Sequence, residues 1–296
     1  MRLAADKRRA LRAALRGTDP LSAPGVYDGY GLRLVQAAGF SFAYVSGNAV
    51  SACLLGRPDL GLVDLTLMAD HLRRITPCVD LPVVCDADAG HGGPLNIQRL
   101  IYEFEQAGVA GLHIEDQVQP KQCAQLPGAR SVVSREEAVA RIRAACAARS
   151  GPAEDAMVVI GRTDCAAALG DDEAIERAQA YLQAGADAVF VELKPSPDLL
   201  IRVRKVRERV GGPCVVNMSV DSSLMALDPS SWRAAGIDLA IFPALARGAF
   251  GQAMQEALAL LASGQHQALS QRLLSSQSYG EVLGLSEAQA WSAQFE

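Results

Sequence analysis

Gly111-Leu112-His113-Ile114-Glu115-Asp116-Gln117-Val118-Gln119-Pro120-Lys121-Gln122-Cys123 opens as an apolar run, stops in two acids and continues to a lysine and a cysteine. A second stretch, Leu81-Pro82-Val83-Val84-Cys85-Asp86-Ala87-Asp88-Ala89-Gly90-His91-Gly92-Gly93, repeats the pattern: an apolar run delivers two carboxylates, two residues apart, to a glycine-rich segment. Residues i and i+2 of a strand share a face, so Asp86 and Asp88 are expected to face one ion. Charge at the end of a buried strand needs a partner, and a hard divalent cation or its bound waters supplies one.

Working outward, short apolar runs bounded by Gly, Pro or Asp alternate with longer segments of helical periodicity. Strands are expected at Gly25 to Tyr27, Phe42 to Ser46, Pro82 to Asp86, Gly111 to Glu115, Met157 to Arg162, Ala188 to Glu192, Cys214 to Asn217 and Leu239 to Phe242. Helices are expected at Leu65 to Ile75, Leu95 to Ala107, Arg135 to Ala148, Asp172 to Ala184, Asp198 to Val210 and Ser222 to Ala235. Several helix exits read Ala-Gly (Ala38-Gly39, Ala107-Gly108, Ala184-Gly185, Ala235-Gly236), as glycine ends helices in the left-handed conformation. Eight such units predict an α/β chain folded as a (β/α)8 barrel, with its site at the C-terminal strand ends. An open doubly wound sheet is the rival; no GxGxxG follows the early strands, and polar residues gather at many strand ends rather than at one crossover. The expected catalytic barrel covers residues 1–263 and includes an N-terminal amphipathic helix within Met1 to Gly17. Residues 264–296 form a C-terminal helical extension, read as an arm at a subunit interface or as a second helical layer on the same subunit.

Composition narrows the function classes. A formal net charge of −5 over 296 residues, with 5% aromatics, gives no footprint for nucleic acid. No stretch is apolar for long enough to span a bilayer, and no secretory h-region is seen. The seven cysteines are odd in number and show no CxxC spacing, so neither a disulfide framework nor a zinc site is expected, and a reducing cytoplasm is.

The strand termini line up as one polar ring: Tyr44, Ser46, Gly47 and Asn48; Asp86 and Asp88; Glu115 and Asp116, with Lys121 and Cys123 beyond; Arg162 and Asp164; Glu192; Asn217 and Ser219. Asp28 and Asp164 also fit the N-cap pattern. Arg162 can grip a carboxylate in a fork or pair with Asp88 or Glu115. Lys121 beside Cys123 is a setting that lowers a thiol pKa, whereas the other six cysteines read as small core residues. His113, inside an apolar strand, reads as a core histidine; His91 is left open.

These motifs resemble the isocitrate lyase and phosphoenolpyruvate mutase superfamily, in its 2-methylisocitrate lyase and dimethylmalate lyase branch. The resemblance runs from about Pro24 to Arg247 and rests on Tyr44-Val45-Ser46-Gly47, Gly56-Arg57-Pro58-Asp59-Leu60-Gly61, Asp86-Ala87-Asp88, Ile114-Glu115-Asp116-Gln117, Arg162-Thr163-Asp164 and Asn217-Met218-Ser219. It implies a (β/α)8 barrel, a homotetramer with an exchanged helix, and Mg²⁺ or Mn²⁺ held through Asp59, Asp86, Asp88 and Glu115, partly through water. It also implies a mobile lyase loop of pattern Lys-x-Cys-Gly-His. Here that loop reads Lys121-Gln122-Cys123-Ala124-Gln125, keeping the lysine and thiol without the glycine and histidine.

The combined expectation is a Mg²⁺-dependent lyase that cleaves a 2-hydroxy di- or tricarboxylate into an α-keto acid and a second carboxylate. Its catalytic residues are Cys123, Lys121, Tyr44 and Arg162. Ser46, Gly47, Asn48, Arg162, Glu192, Asn217 and Ser219 bind substrate, and Asp59, Asp86, Asp88 and Glu115 hold the metal. Oxaloacetate-type decarboxylation or hydrolysis, phosphonate mutase chemistry and a ligand-binding barrel without turnover are the alternatives, separable by products.

Overall fold

The computed structural model describes residues 3–122 and 128–296. Eight parallel strands close in sequence order: β1 (Leu21–Val26), β2 (Ala43–Val45), β3 (Val83–Asp86), β4 (Gly111–Ile114), β5 (Val158–Thr163), β6 (Ala188–Val191), β7 (Cys214–Asn217) and β8 (Leu239–Phe242), with β8 pairing back onto β1. Every expected strand is present, and β1 begins earlier than its glycine suggested. Around them run α1 (Ala4–Leu15), α2 (Gly29–Ala37), α3 (Gly47–Leu55), α4 (Leu65–Ile75), α5 (Pro94–Gln106), α6 (Arg135–Ala148), α7 (Ala166–Leu169), α8 (Asp171–Gln183), α9 (Leu199–Val210), α10 (Trp232–Ala235), α11 (Leu245–Ala262), α12 (His266–Ser270), α13 (Ser276–Leu283) and α14 (Leu285–Ser292). Asp28, Ser46, Asp64 and Ser134 cap α2, α3, α4 and α6 through side-chain oxygens, satisfying amide donors that the first helical turn leaves open.

The barrel interior is filled by side chains such as Tyr44, Val84, Ile160, Phe190 and Ile241, and α1 closes its lower end with Leu11 and Leu15. The arginine-rich face of α1 has a structural purpose. Lys7, Arg8 and Arg12 are buried and donate to backbone carbonyls of Val79, Val109 and Ala156, next to the entries of β3, β4 and β5. Buried cations are tolerated because these carbonyls, and Asp187 beside Arg12, satisfy them.

Two expectations are corrected. The stretch Ser222 to Ala235 is two single 3₁₀ turns followed by the four-residue α10, not one helix. Pro229 biases Asp228 away from helical backbone, and Asp228 instead caps the next turn through Ser230. Cys53 is exposed, and Cys78 and Cys146 are half-buried, so only Cys85, Cys165 and Cys214 are core thiols; Cys123 lies outside the described residues.

The C-terminal elements divide. α13 packs on α2, where the rings of Tyr30 and Tyr279 sit 5.6 Å apart. α11, eighteen residues long, buries none of them and exposes Phe250, Met254, Leu258 and Leu261. Apolar exposure therefore begins at α11, earlier than Gly264. Among the described residues no helix is long and apolar enough to cross a membrane.

Candidate active site

Parallel closure brings the C-terminal strand ends to one mouth, where a cavity of about 600 Å³ opens. Tyr44, Ser46, Asn48, Asp59, Asp86, Glu115, Lys121, Arg162, Glu192, Asn217 and Ser219 all line it, so eleven of the fourteen residues singled out from the sequence meet there. Gly47 sits just behind: a Cβ on it would lie 2.9 Å from Asp86 Oδ2, so its bare backbone lets the carboxylate approach the start of α3.

Asp88 does not share a strand face with Asp86. β3 ends at Asp86, and Asp88 lies past it with φ at +47°, lining a neighbouring cavity with His91, whose φ is +56°. The Asp88 amide donates to Asp86 Oδ1 at 3.1 Å, and the Asp88 carboxylate is joined to Asp59 through Lys121. This ammonium lies 2.8 Å from Asp59 Oδ2, also pairs with Asp88, and borders both cavities. Burial opposes its charge, but Asp88, Asp86, Glu115 and Asp59 together hold its pKa well above the ordinary value.

The carboxylates separate electrically. Burial raises Asp88 to about 7. Burial also pushes Asp86 up, yet His113, Lys121 and Arg162 outweigh it and keep that carboxyl below its usual range. Because burial holds His113 itself at about 4, the imidazole is neutral near pH 7, and Lys121 and Arg162 are the charges acting on Asp86 there. Glu115 is driven well up by burial, and its Oε1 has no hydrogen-bond partner.

Glu115 and Asp116 are adjacent, and alternation sends them to opposite sides. Glu115 faces the cavity, with Arg162 Nη1 3.2 Å from it. Asp116 faces the helical layer and is saturated by Thr163, the Asp164 amide, Arg177 and Tyr181. Asp164 is no helix cap. It accepts from Arg162 Nε at 3.0 Å and Gln117 at 2.6 Å and lies 2.7 Å from Arg130, so it fixes the fork of Arg162. The guanidinium also lies 4.9 Å above the Phe190 ring.

Tyr44 pairs with His113 Nε2 at 2.8 Å, and the other imidazole nitrogen lies 3.7 Å from Asp86. The β3–β4 register that sets Asp86 beside His113 produces this line. Burial raises the Tyr44 phenol well above its ordinary pKa, so it is protonated at neutral pH. At the opposite wall Asn217 reaches both oxygens of Glu192 at 3.5 Å. Sequence reasoning missed Gln117, Arg130, Lys194 and Arg247, which also line the cavity. Only Gln117 carried a signal, its place in the Glu115-Asp116-Gln117 strand exit.

The donor set suits a hard cation. Asp59, Asp86, Asp88 and Glu115 offer carboxylate oxygens, one of them buried without a partner, and Lys121 now supplies the positive charge. Among the described residues no three such side chains converge into a ready cage, so a bound Mg²⁺ would complete its shell with water or ligand oxygens.

Fold and cavity together describe a (β/α)8 barrel with a ring of buried acids and cations at the strand C-termini. Residues 11–262 match the family described as phosphoenolpyruvate phosphomutase. Over 251 residues the chain is 42% identical to a probable 2-methylisocitrate lyase 2 of Corynebacterium glutamicum, spanning 84% of this chain and 79% of that one. The crystal structure of 2,3-dimethylmalate lyase superposes with a TM-score of 0.86 at 33% identity, covering 100% of both chains. That of phosphonopyruvate hydrolase with oxalate and Mg²⁺ gives 0.84 at 28% identity, covering 98% of this chain and 99% of that one. The chain belongs to the phosphoenolpyruvate mutase and isocitrate lyase superfamily, and it is an enzyme of the carbon–carbon lyase type.

Proposed function

We propose that the enzyme cleaves a 2-hydroxy di- or tricarboxylate, of the 2-methylisocitrate or 2-alkylmalate kind, into an α-keto acid and a carboxylate, with Mg²⁺ or Mn²⁺ held by Asp59, Asp86, Asp88 and Glu115. The observation that carries this reading is the convergence, in one cavity, of these acids with Arg162 and the Tyr44–His113 pair. When bound, the divalent cation would supply charge stabilisation to the hydroxyl and carboxylate oxygens of a 2-hydroxy acid.

The chain's own groups account for the proton movements. Tyr44 is a phenol, so it accepts the substrate hydroxyl proton only by passing its own to His113 Nε2, whose imidazole is neutral and 2.8 Å away, with Asp86 3.7 Å from the other ring nitrogen to offset the charge that burial disfavours. As that proton leaves, the adjacent carbon–carbon bond breaks and its electron pair remains on the carbon next to a carboxylate. Cys123 is assigned to protonate this carbanion, its thiol tuned by Lys121 two residues earlier. Arg162, fixed by Asp164 and Glu115, together with Asn217, Ser46, Asn48, Ser219 and the Gly47 amide, holds the carboxylates, and Glu192 orients Asn217. Exposed α11 supports assembly into a homo-oligomer, a tetramer by family resemblance.

The test is a panel of 2-hydroxy di- and tricarboxylates with Mg²⁺, read by α-keto acid release. CO₂ or acetate from oxaloacetate, without hydroxy-acid cleavage, would assign decarboxylation or hydrolysis. A phosphorus-containing product would assign mutase chemistry, and saturable binding with no turnover a ligand-binding barrel.

A further inference from the structure

Gln117 lines the main cavity but is only 2% exposed, and both ends of its side-chain amide are taken by protein partners. Its Nε2 donates to Asp164 Oδ2 at 2.6 Å, and its Oε1 accepts the backbone N–H of Gln122 at 2.9 Å. The partners dictate this orientation, since an ionised carboxylate only accepts and a peptide N–H only donates. Asp164 is ionised: burial pushes its carboxyl up, but Arg162 and Arg130 outweigh burial and hold it below the usual range. The backbone that carries the amide is itself fixed. Gln117 bridges Val132 in antiparallel register, and its carbonyl accepts from Arg141 Nη1 at 2.9 Å.

What lies beyond the two partners gives the amide its consequence. Asp164 accepts from Arg162 Nε at 3.0 Å and from Nη2 at 3.3 Å, so it sets the plane of the guanidinium. Gln122 follows Lys121, whose ammonium pairs with Asp59 and Asp88. We propose that Gln117 is a positioning residue that holds the Arg162 fork and the Lys121-Gln122 peptide in one fixed relation, by donating at one end and accepting at the other. It rests on the proposed reaction only for the use of Arg162 as a carboxylate grip; the tether to the Lys121-Gln122 peptide does not need that reading. Losing the Asp164 bond lets the fork tilt, and losing the Gln122 bond lets the peptide lift away. The two losses are chemically separable. Methionine, of similar volume, makes neither bond, whereas glutamate still accepts from Gln122 but sets a second carboxylate against Asp164.

The test compares wild type, Gln117→Met and Gln117→Glu as full chains with Mg²⁺, and reads each end of the tether separately. One reading is the rate of tryptic cutting after Lys121, by mass spectrometry and relative to cutting elsewhere in the chain, since trypsin must draw out Lys121 to cut there. The other is the affinity for oxalate by calorimetry, which reports the Arg162 grip. Gln117→Met should be cut after Lys121 about tenfold faster and bind oxalate about tenfold more weakly, as expected for loss of one buried hydrogen bond at each end. Gln117→Glu should split the readings: cutting within about twofold of wild type, oxalate affinity down at least as far as in Gln117→Met. A merely structural glutamine would move both readings together. Both readings unchanged in Gln117→Met, or a parallel change of both in Gln117→Glu, would overturn the proposal. Should scanning fluorimetry find Gln117→Met unfolded, Gln117→Glu decides alone, because unfolding cannot produce the split. If cutting follows the expected pattern but wild type binds no oxalate, the tether to Lys121 stands and the Arg162 grip of the proposed reaction fails.

Discussion

Replacing Lys121 by Met removes the countercharge of the acid cluster and nearly preserves side-chain volume. The ammonium is 7% exposed, against 12% for Asp59 and 14% for Asp88, so water compensates little. Taking one partner from a buried ion pair costs roughly 3–5 kcal/mol, and proton uptake by the stranded acids pulls this toward about 3 kcal/mol. At roughly 2–4 °C per kcal/mol for a chain of this order of length, the melting temperature should fall by about 6–12 °C in chelator at pH 8. The deficit should depend on pH. Asp88 already sits near 7 in the folded protein against an ordinary 3.8, and loss of Lys121 raises it further. A carboxyl raised in the folded state binds its proton more tightly folded than unfolded, so its contribution to stability is lost as pH rises through that window. The gap between variant and wild type should therefore be largest near pH 8 and shrink toward about pH 5.5, where Asp88 is protonated in both. Millimolar Mg²⁺ should restore most of the loss and stabilise the variant more than wild type, because no ammonium then competes for the same oxygens. Scanning fluorimetry across pH, with chelator and with Mg²⁺, reads all three. A deficit that is flat with pH, or an equal response to Mg²⁺ in both proteins, would refute the countercharge argument.

Exhaustive chelation should abolish turnover and Mg²⁺ or Mn²⁺ restore it, with Asp86→Ala raising the metal requirement; full activity in verified metal-free protein would remove the metal from the proposal. Cys123→Ala should lower kcat by about 10²–10⁴-fold, as for a lost general acid, with metal affinity unchanged. Near-wild-type turnover would shift the assignment toward keto-acid decarboxylation or hydrolysis. Alkylation mapping needs Cys53→Ser as background, since Cys53 is exposed. Light scattering should find the full chain larger than one subunit, and deleting residues 264–296 should bare the α2 surface around Tyr30 that α13 covers. A folded full-length monomer would count against an interface at α11.

The barrel was readable because each strand is an apolar run stopped by a polar residue, and because Ala-Gly exits mark several returns to the sheet. The ring of acids was readable for the same reason: closure makes every strand end a neighbour of every other. What escaped notice has a physical pattern. Arg130, Lys194 and Arg247 sit on loops or a first helical turn, where no periodicity announces which way a side chain points. Asp164 looked like a cap because Asp after a strand often is one, and only the positions of Arg130 and Arg162 show otherwise. The pairing of Asp86 with Asp88 assumed two more residues of strand. The left-handed turn at Asp88 broke that assumption, and neither Ala87 nor Ala89 warned of it.

Fold and acid ring do not by themselves select a reaction, since relatives with the same barrel include a lyase and a phosphonopyruvate hydrolase. The discriminating chemistry lies in what protonates or captures the departing carbon, and in this chain that assignment falls on the segment after β4. Lys121 ties that segment to Asp59 and Asp88, and the Gln122 amide ties it to Gln117, whose side chain in turn holds Asp164 behind Arg162. Cys123 follows immediately in sequence. The charge state of the acid cluster is thus mechanically linked to the anchor of the residue assigned as proton donor. The cation proposed above would compete with Lys121 for the oxygens of Asp59 and Asp88, so metal binding and the placement of Lys121 would be linked equilibria, and a measurement of either one would constrain the other.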